Sequence, residues 1–260
     1  MRIFSNKFGQ MCAGLAVAAS IGIAAAPVKA DTIQLGFILD RSGSIGGTNW
    51  NVIVNGLSAA IGNIPVGGDD TYEVSVVTFA ANASANISNF LVTDTTTRSA
   101  LQTQVAGLTS VYSGGLTNYT AAFTVMLDAL DNTTLGDSSL SYVNFATDGD
   151  PTTGGDGVAA RDALIAAGVD NISIEGIGSG VDANNLRNNF CYPGPCDDTS
   201  PYNFPTQGFY IGVANAQGYA DAIGNKVRIV TGQVPEPQMI ALLGIGLLGL
   251  TPLMRRRRPD

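Results

Sequence analysis

Histidine is absent from all 260 residues. A Ser-His-Asp triad, a histidine-ligated zinc and a histidine general base are therefore excluded together. Cysteine is scarce. Of three, Cys12 lies in an N-terminal apolar stretch, which leaves Cys191 and Cys196. Two thiols without further Cys or His make a poor metal site. Basic residues are few as well. Between Asp31 and Gln233, six Lys or Arg stand against nineteen Asp or Glu, a formal charge of −13. Such a surface repels nucleic acid and anionic lipid, so no nucleic-acid partner is expected. It suits an exported protein and tolerates bound divalent cations.

Both ends of the chain differ from its middle. Arg2 and Lys7 precede an apolar, Ala- and Gly-rich run from Met11 to Ala26, and Val28-Lys29-Ala30 fits a small-residue cleavage site. Residues 1–30 read as a signal peptide, with a buried first helix as the alternative. At the other end, Val234-Pro235-Glu236-Pro237 interrupts regular structure, because proline cannot donate a backbone hydrogen bond. An uncharged run from Met239 to Met254 and the block Arg255 to Arg258 follow. As a helix that run reaches roughly 24 Å, slightly short of a hydrocarbon core of about 30 Å. Snorkelling arginines and local thinning can close the gap, with the arginines on the cytoplasmic side. The order Pro-Glu-Pro, apolar span, arginines resembles the PEP-CTERM sorting signal of Gram-negative, exopolysaccharide-producing bacteria. That resemblance implies an inner-membrane intermediate held by the C-terminal segment. A membrane exosortase would then cleave it, leaving the protein at the cell surface or outside the cell. A plain tail anchor is the alternative. Residues 31–233 would then form one domain, with 234–260 as the sorting and membrane segment.

Within the domain, strand and helix signals alternate. Apolar or alternating runs predict strands at 33–39, 72–79, 84–91, 140–146, 172–177 and 209–213. Helical spacing predicts helices at 49–61, 96–108, 120–130, 158–167, 182–189 and 216–229. The implied fold class is α/β: a three-layer α/β/α sandwich around a doubly wound, mostly parallel sheet. Trp50, Phe209, Tyr210 and Tyr219 read as core. The long irregular stretch 190–207 holds Cys191 and Cys196 with four residues between them. A structural disulfide closing a Pro/Gly loop fits better than a redox pair, which usually has two intervening residues.

The chemistry gathers at strand ends. Asp40, Ser42 and Ser44 follow the first strand at alternate positions. Oxygen side chains presented from one turn can hold a hard cation. In a doubly wound sheet the site lies at the carboxyl edge, where strand order reverses. If the first strand and the 140–146 strand are neighbours there, the Asp40 and Asp148 loops face each other. The loop Gly114-Gly115-Leu116-Thr117-Asn118 can fold over the same edge. Other readings of these residues exist. Asp40 and the serines could cap the following helix. Asp150 could replace Asp148, and Thr120 could replace Thr117. Arg41 and Tyr119 fall near the rim, where they read as exposed residues with no special role, contact with a partner being the alternative.

Together these elements resemble a von Willebrand factor type A domain with a metal-ion-dependent adhesion site. Asp40, Ser42 and Ser44 match the family's Asp-x-Ser-x-Ser motif, Thr117 its threonine in a Gly-rich loop, and Asp148 its aspartate after an apolar strand. The resemblance implies that Ser42, Ser44 and, depending on conformational state, Thr117 ligate a divalent cation. Asp40 and Asp148 would bind it directly or through water. Mg²⁺ fits such a site best, with Mn²⁺ or Ca²⁺ as alternatives. It further implies a non-enzymatic adhesion module that engages an acidic group of a protein or polysaccharide. Two other readings stand beside it. A metal-dependent hydrolase of haloacid-dehalogenase type also begins with an aspartate after its first strand. It needs a second carboxylate where Ser42 stands and a catalytic lysine, for which the domain offers only Lys226. A structural surface protein with a vestigial site is the third.

Overall fold

The computed structural model describes residues 32–130 and 140–233. The predicted signal peptide and the predicted C-terminal membrane segment lie outside the described residues. Among the described residues, no helix is long and apolar enough to cross a membrane.

Six strands form one sheet: β1 (Thr32–Asp40), β2 (Thr71–Phe79), β3 (Ala83–Val92), β4 (Leu140–Thr147), β5 (Asn171–Ile177) and β6 (Tyr210–Val213). Their order is β3-β2-β1-β4-β5-β6. All neighbours pair in parallel except β2 and β3, which are antiparallel. The expected mostly parallel sheet is therefore present. β1 is buried almost end to end, as a strand covered on both faces must be.

The helices are α1 (Gly46–Ile61), α2 (Thr95–Gly107), α3 (Tyr119–Ala129), α4 (Val158–Ala166), α5 (Ala183–Asn189) and α6 (Ala216–Val230). A 3-10 turn at Leu108–Val111 follows α2. Side chains alternate across each strand, so β1 feeds both layers. Leu35, Phe37 and Leu39 join the core under α1, α2 and α6, with Trp50, Leu101 and Tyr219. Ile38 joins the core under α3, α4 and α5, with Phe123, Leu164 and Leu186. Trp50 and Tyr219 are fully buried, as expected, and Trp50 Nε1 donates to Leu108 O at 2.9 Å.

The predicted helix at 49–61 begins earlier, at Gly46. The stretch 190–207 is tied to the sheet by bridges from Tyr192 to Ile172 and from Asp197 to Phe209. Cys191 and Cys196 form the expected disulfide.

Candidate metal centre

β1 and β4 lie side by side at the centre of the sheet, with Leu39 opposite Ala146. Asp40 and Thr147, the next residue of each strand, therefore end together at the carboxyl edge. Thr147 donates to Asp40 Oδ2 at 2.7 Å, and the Ser42 N–H donates to Asp40 Oδ1 at 2.8 Å. Ser42 Oγ and Ser44 Oγ share a hydrogen bond of 3.0 Å. Ser44 Oγ donates to Asp148 Oδ1 at 2.6 Å. Four of the five expected residues thus form one continuous hydrogen-bonded chain: Asp40, Ser42, Ser44 and Asp148. Asp40 and Ser42 are buried, Asp148 is half-buried and Ser44 is exposed, so the cluster opens to solvent at its far end.

Thr117 reaches this edge on a separate loop. The Gly43 N–H donates to Gly115 O at 2.9 Å, which fixes the Gly-rich loop between the two serines. Gly115 has φ +98°, a conformation that L side chains rarely adopt. The Thr117 N–H donates to Thr152 Oγ1 at 2.9 Å, and Thr117 O accepts from the Thr152 N–H at 2.8 Å. The loop is therefore held from both sides, and Thr117 itself is buried. Asn118 then caps α3, its side chain accepting from the Ala121 N–H.

The helix-capping alternative for Asp40 and the serines fails. α1 has Ile45 at its N-cap and no side-chain cap bond. Thr120 is engaged elsewhere, donating to Gly154 O at 2.6 Å. Asp150 is exposed and accepts from the Asp182 N–H at 3.1 Å. Two rim expectations are corrected. Tyr119 is fully buried: its ring packs edge-on against Phe79, Phe145 and Phe190, and its hydroxyl donates to Gly149 O at 2.5 Å. Arg41 is half-buried and turns into its own fold, donating to Val111 O at 2.6 Å and to Ser113 Oγ at 3.0 Å. Sequence reasoning missed Thr147 and Thr152, which position Asp40 and Thr117. A hydroxyl directly before Asp148 was the only available hint of Thr147.

The electrostatics suit a cation. Burial pushes the Asp40 carboxyl up to about 6, against the pull of hydrogen bonds from Ser42 and Thr147, and nearby Asp148 adds to the rise. Burial also raises Asp148, partly offset by the Ser44 hydrogen bond. Among the described residues, no ion pair reaches either carboxylate. No described group of three or more Asp, Glu, Cys or His gathers here or elsewhere. The donor set is two carboxylates plus hydroxyls, all oxygen, which fits a hard divalent ion and does not fit a thiophilic one.

A mostly parallel sheet with a hydroxyl- and carboxylate-lined edge at its reversal point defines an α/β domain of the ligand-at-the-switch-point kind. More particularly, the chain belongs to the von Willebrand factor type A domain family, whose model matches residues 34–204. The PEP-CTERM protein-sorting motif matches residues 233–258. No curated protein sequence matches. Solved structures match at the level of fold. Proximal thread matrix protein 1 from the mussel byssus aligns with TM-score 0.59 and 17% identity, over 78% of this chain and 46% of that one. Another of its structures, with a zinc-occupied MIDAS motif, gives TM-score 0.52 at 16% identity, over 78% and 47%. A von Willebrand factor type A protein from Catenulispora acidiphila gives 0.59 and 17%, over 78% and 43%. Manganese-loaded TRAP from Plasmodium vivax gives 0.54 and 21%, over 78% and 75%. The chain thus spans under half the length of the byssus and Catenulispora proteins.

Proposed function

We propose that residues 31–233 form a divalent-cation-dependent binding module in which Asp40, Ser42, Ser44, Thr117 and Asp148 hold the ion. The observation that carries this reading is the unbroken hydrogen-bonded chain from Asp40 through Ser42 and Ser44 to Asp148, with no ion pair at either carboxylate among the described residues. Manganese and zinc stand in the names of two structural neighbours, in keeping with a divalent ion. Mg²⁺ is our choice for this chain, because few charged ligands and retained water suit it. The ion, when bound, supplies an electrophilic position for an anionic oxygen of a partner. Asp40 and Asp148 balance its charge, and Thr147 and the Ser42 N–H fix Asp40.

We read the activity as binding without turnover. A hydrolase would need a base or a catalytic lysine beside the cluster. Lys226, the domain's one lysine, is buried and paired with Glu175 at 2.9 Å, and its Nζ lies 4.8 Å from the Phe209 ring centroid. The sorting motif supports export by a Gram-negative bacterium, exosortase processing, and a place at the cell surface or in the extracellular matrix. Residues 1–30 act as signal peptide in this reading, and residues 234–260 as a transient membrane segment. Adhesion or matrix assembly is the biological setting, with an acidic group of a protein or polysaccharide as the ligand.

Calorimetric titration of Mg²⁺ into the wild type and Asp40→Ala tests the proposal. Saturable binding lost in the variant is expected. Equal affinity in both would falsify it.

A further inference from the structure

A second polar cluster lies inside the core that α6 covers. Asn144 of β4 pairs with Ser173 of β5, and Ala146 pairs with Glu175. Side chains alternate across a strand, so Asn144 and Glu175 share the sheet face under α6. Lys226 of α6 reaches down onto that face. Its Nζ donates to Asn144 Oδ1 at 2.5 Å and lies 2.9 Å from Glu175 Oε1. All three side chains are buried, and the Phe209 ring centroid stands 4.8 Å from Nζ.

The setting is incomplete for a permanent charge pair. A buried ion pair is held when its remaining lone pairs and protons are satisfied. Here Glu175 Oε2 and Asn144 Nδ2 have no hydrogen-bond partner among the described residues. Nδ2 faces the Glu175 carboxyl without forming a proper bond to it. Burial favours the uncharged form of both ionisable groups: it raises Glu175 and lowers Lys226, against their mutual attraction. A neutral amine is a nucleophile, and a neutral carboxylic acid can accept a proton on one oxygen while donating from the other. A carbonyl bond is about 1.2 Å long, so Asn144 Cγ stands at most about 3.7 Å from Nζ, close to the attack distance of about 3–3.5 Å.

We propose that Lys226 and Asn144 join in an intramolecular amide bond, with Glu175 relaying the protons. The Nζ–Cγ bond forms and the Cγ–Nδ2 bond breaks. Glu175 Oε1 takes one proton from Nζ while Oε2 hands one to Nδ2, which leaves as ammonia. Glu175 ends as the acid it began as, and no oxidant, reductant or cofactor enters. The small cavity lined by Leu35, Phe37, Asn144 and Lys226 can receive the departing ammonia. The product is an uncharged amide beside an uncharged acid, so the core no longer holds a charge pair. The bond spans 82 residues of sequence and fastens α6, the last described helix, to the middle of the sheet.

Tryptic mapping by mass spectrometry tests this on the purified full chain, its folding checked by near-ultraviolet circular dichroism. Trypsin cuts after Arg98, Arg161, Arg187, Lys226 and Arg228 in an unmodified chain. In the wild type, fragment 99–161 is expected to be covalently joined to fragment 188–228. The pair should be lighter than the two fragments together by one ammonia, and uncut after Lys226. Glu175→Gln keeps the shape and both joined side chains but removes the acid, and it is expected to give separate fragments with the cut after Lys226 restored. Lys226→Met is expected to give no joined pair. Separate fragments from folded wild type overturn the proposal, whatever the variants do. A joined pair in Lys226→Met places the bond elsewhere and overturns it too. A joined pair in Glu175→Gln overturns the role given to Glu175.

Discussion

Asp40 concentrates the consequences of burial in one residue. Its carboxyl, usually near 3.8, is pushed up to about 6 in the fold. Below pH 4 it is protonated in folded and unfolded chains alike. As pH rises from about 4 to about 6, the unfolded chain releases the proton first, so the metal-free protein loses stability across that window and levels off above it. The loss is on the order of 2–3 kcal/mol. Urea midpoints measured in chelator should fall between pH 4 and 6, and the fall should shrink in Asp40→Asn, the raised Asp148 leaving a smaller remainder. A midpoint that rises through that window would contradict the assignment. Thr147 carries a second prediction at this scale. Thr147→Val keeps the shape and removes a hydroxyl that donates to Asp40, leaving a buried acceptor with one bond fewer. Stability should fall by about 1–3 kcal/mol, readable in the same urea curves. The Asp-x-Ser-x-Ser pattern was legible in the sequence because its spacing is local. Thr147 was not, since its importance comes from the β1–β4 register, which no local pattern encodes. Tyr119 misled for a related reason: its hydroxyl suggests a surface, but its ring fills a space bounded by three phenylalanines from distant segments.

At the scale of elements, α1 and α6 pack closer than their side chains alone would suggest. A Cβ on Gly56 would lie 2.6 Å from Ala220 Cβ and 2.7 Å from Ala220 Cα. Backbone cannot yield as a flexible side chain can. Gly56→Val should therefore force the helices apart and cost about 1–3 kcal/mol or more, seen as a lower thermal midpoint. A neutral outcome would mean that α6 slides freely on α1. The strands were read with little error because continuous or alternating apolar runs mark them. The start of α1 was read three residues late. Gly47 is a poor helix former, and Gly46, the first residue of α1, has φ +70°, a left-handed entry that helical spacing of apolar residues does not announce. The antiparallel pairing of β2 with β3 has its signal in the connection: the three residues between Phe79 and Ala83 suffice for a hairpin and are too few for a parallel crossover.

For the whole molecule, an ion bound only by the folded state must raise global stability. At a concentration about a hundredfold above its Kd, Mg²⁺ should add about 2.7 kcal/mol. In a domain of this size that amounts to roughly 5–10 °C in Tm. Scanning calorimetry of the wild type with Mg²⁺ and with chelator reads this directly, and Asp40→Ala should show no gain. A wild type indifferent to Mg²⁺ would remove the module from the metal-dependent class.

The path of α6 has a consequence for geometry outside the domain. The helix starts beside the end of β6, and its last turn, at Val227 and Val230, lines a small cavity with Leu35, Tyr142 and Asn171 in the amino-terminal halves of their strands. Thr32 opens β1 at that same rim. Entry and exit of the polypeptide thus share the pole opposite Asp40 and Asp148. A tether continuing from Gln233 would hold the protein by its foot and leave the oxygen cluster at the crown, pointing toward whatever the environment brings.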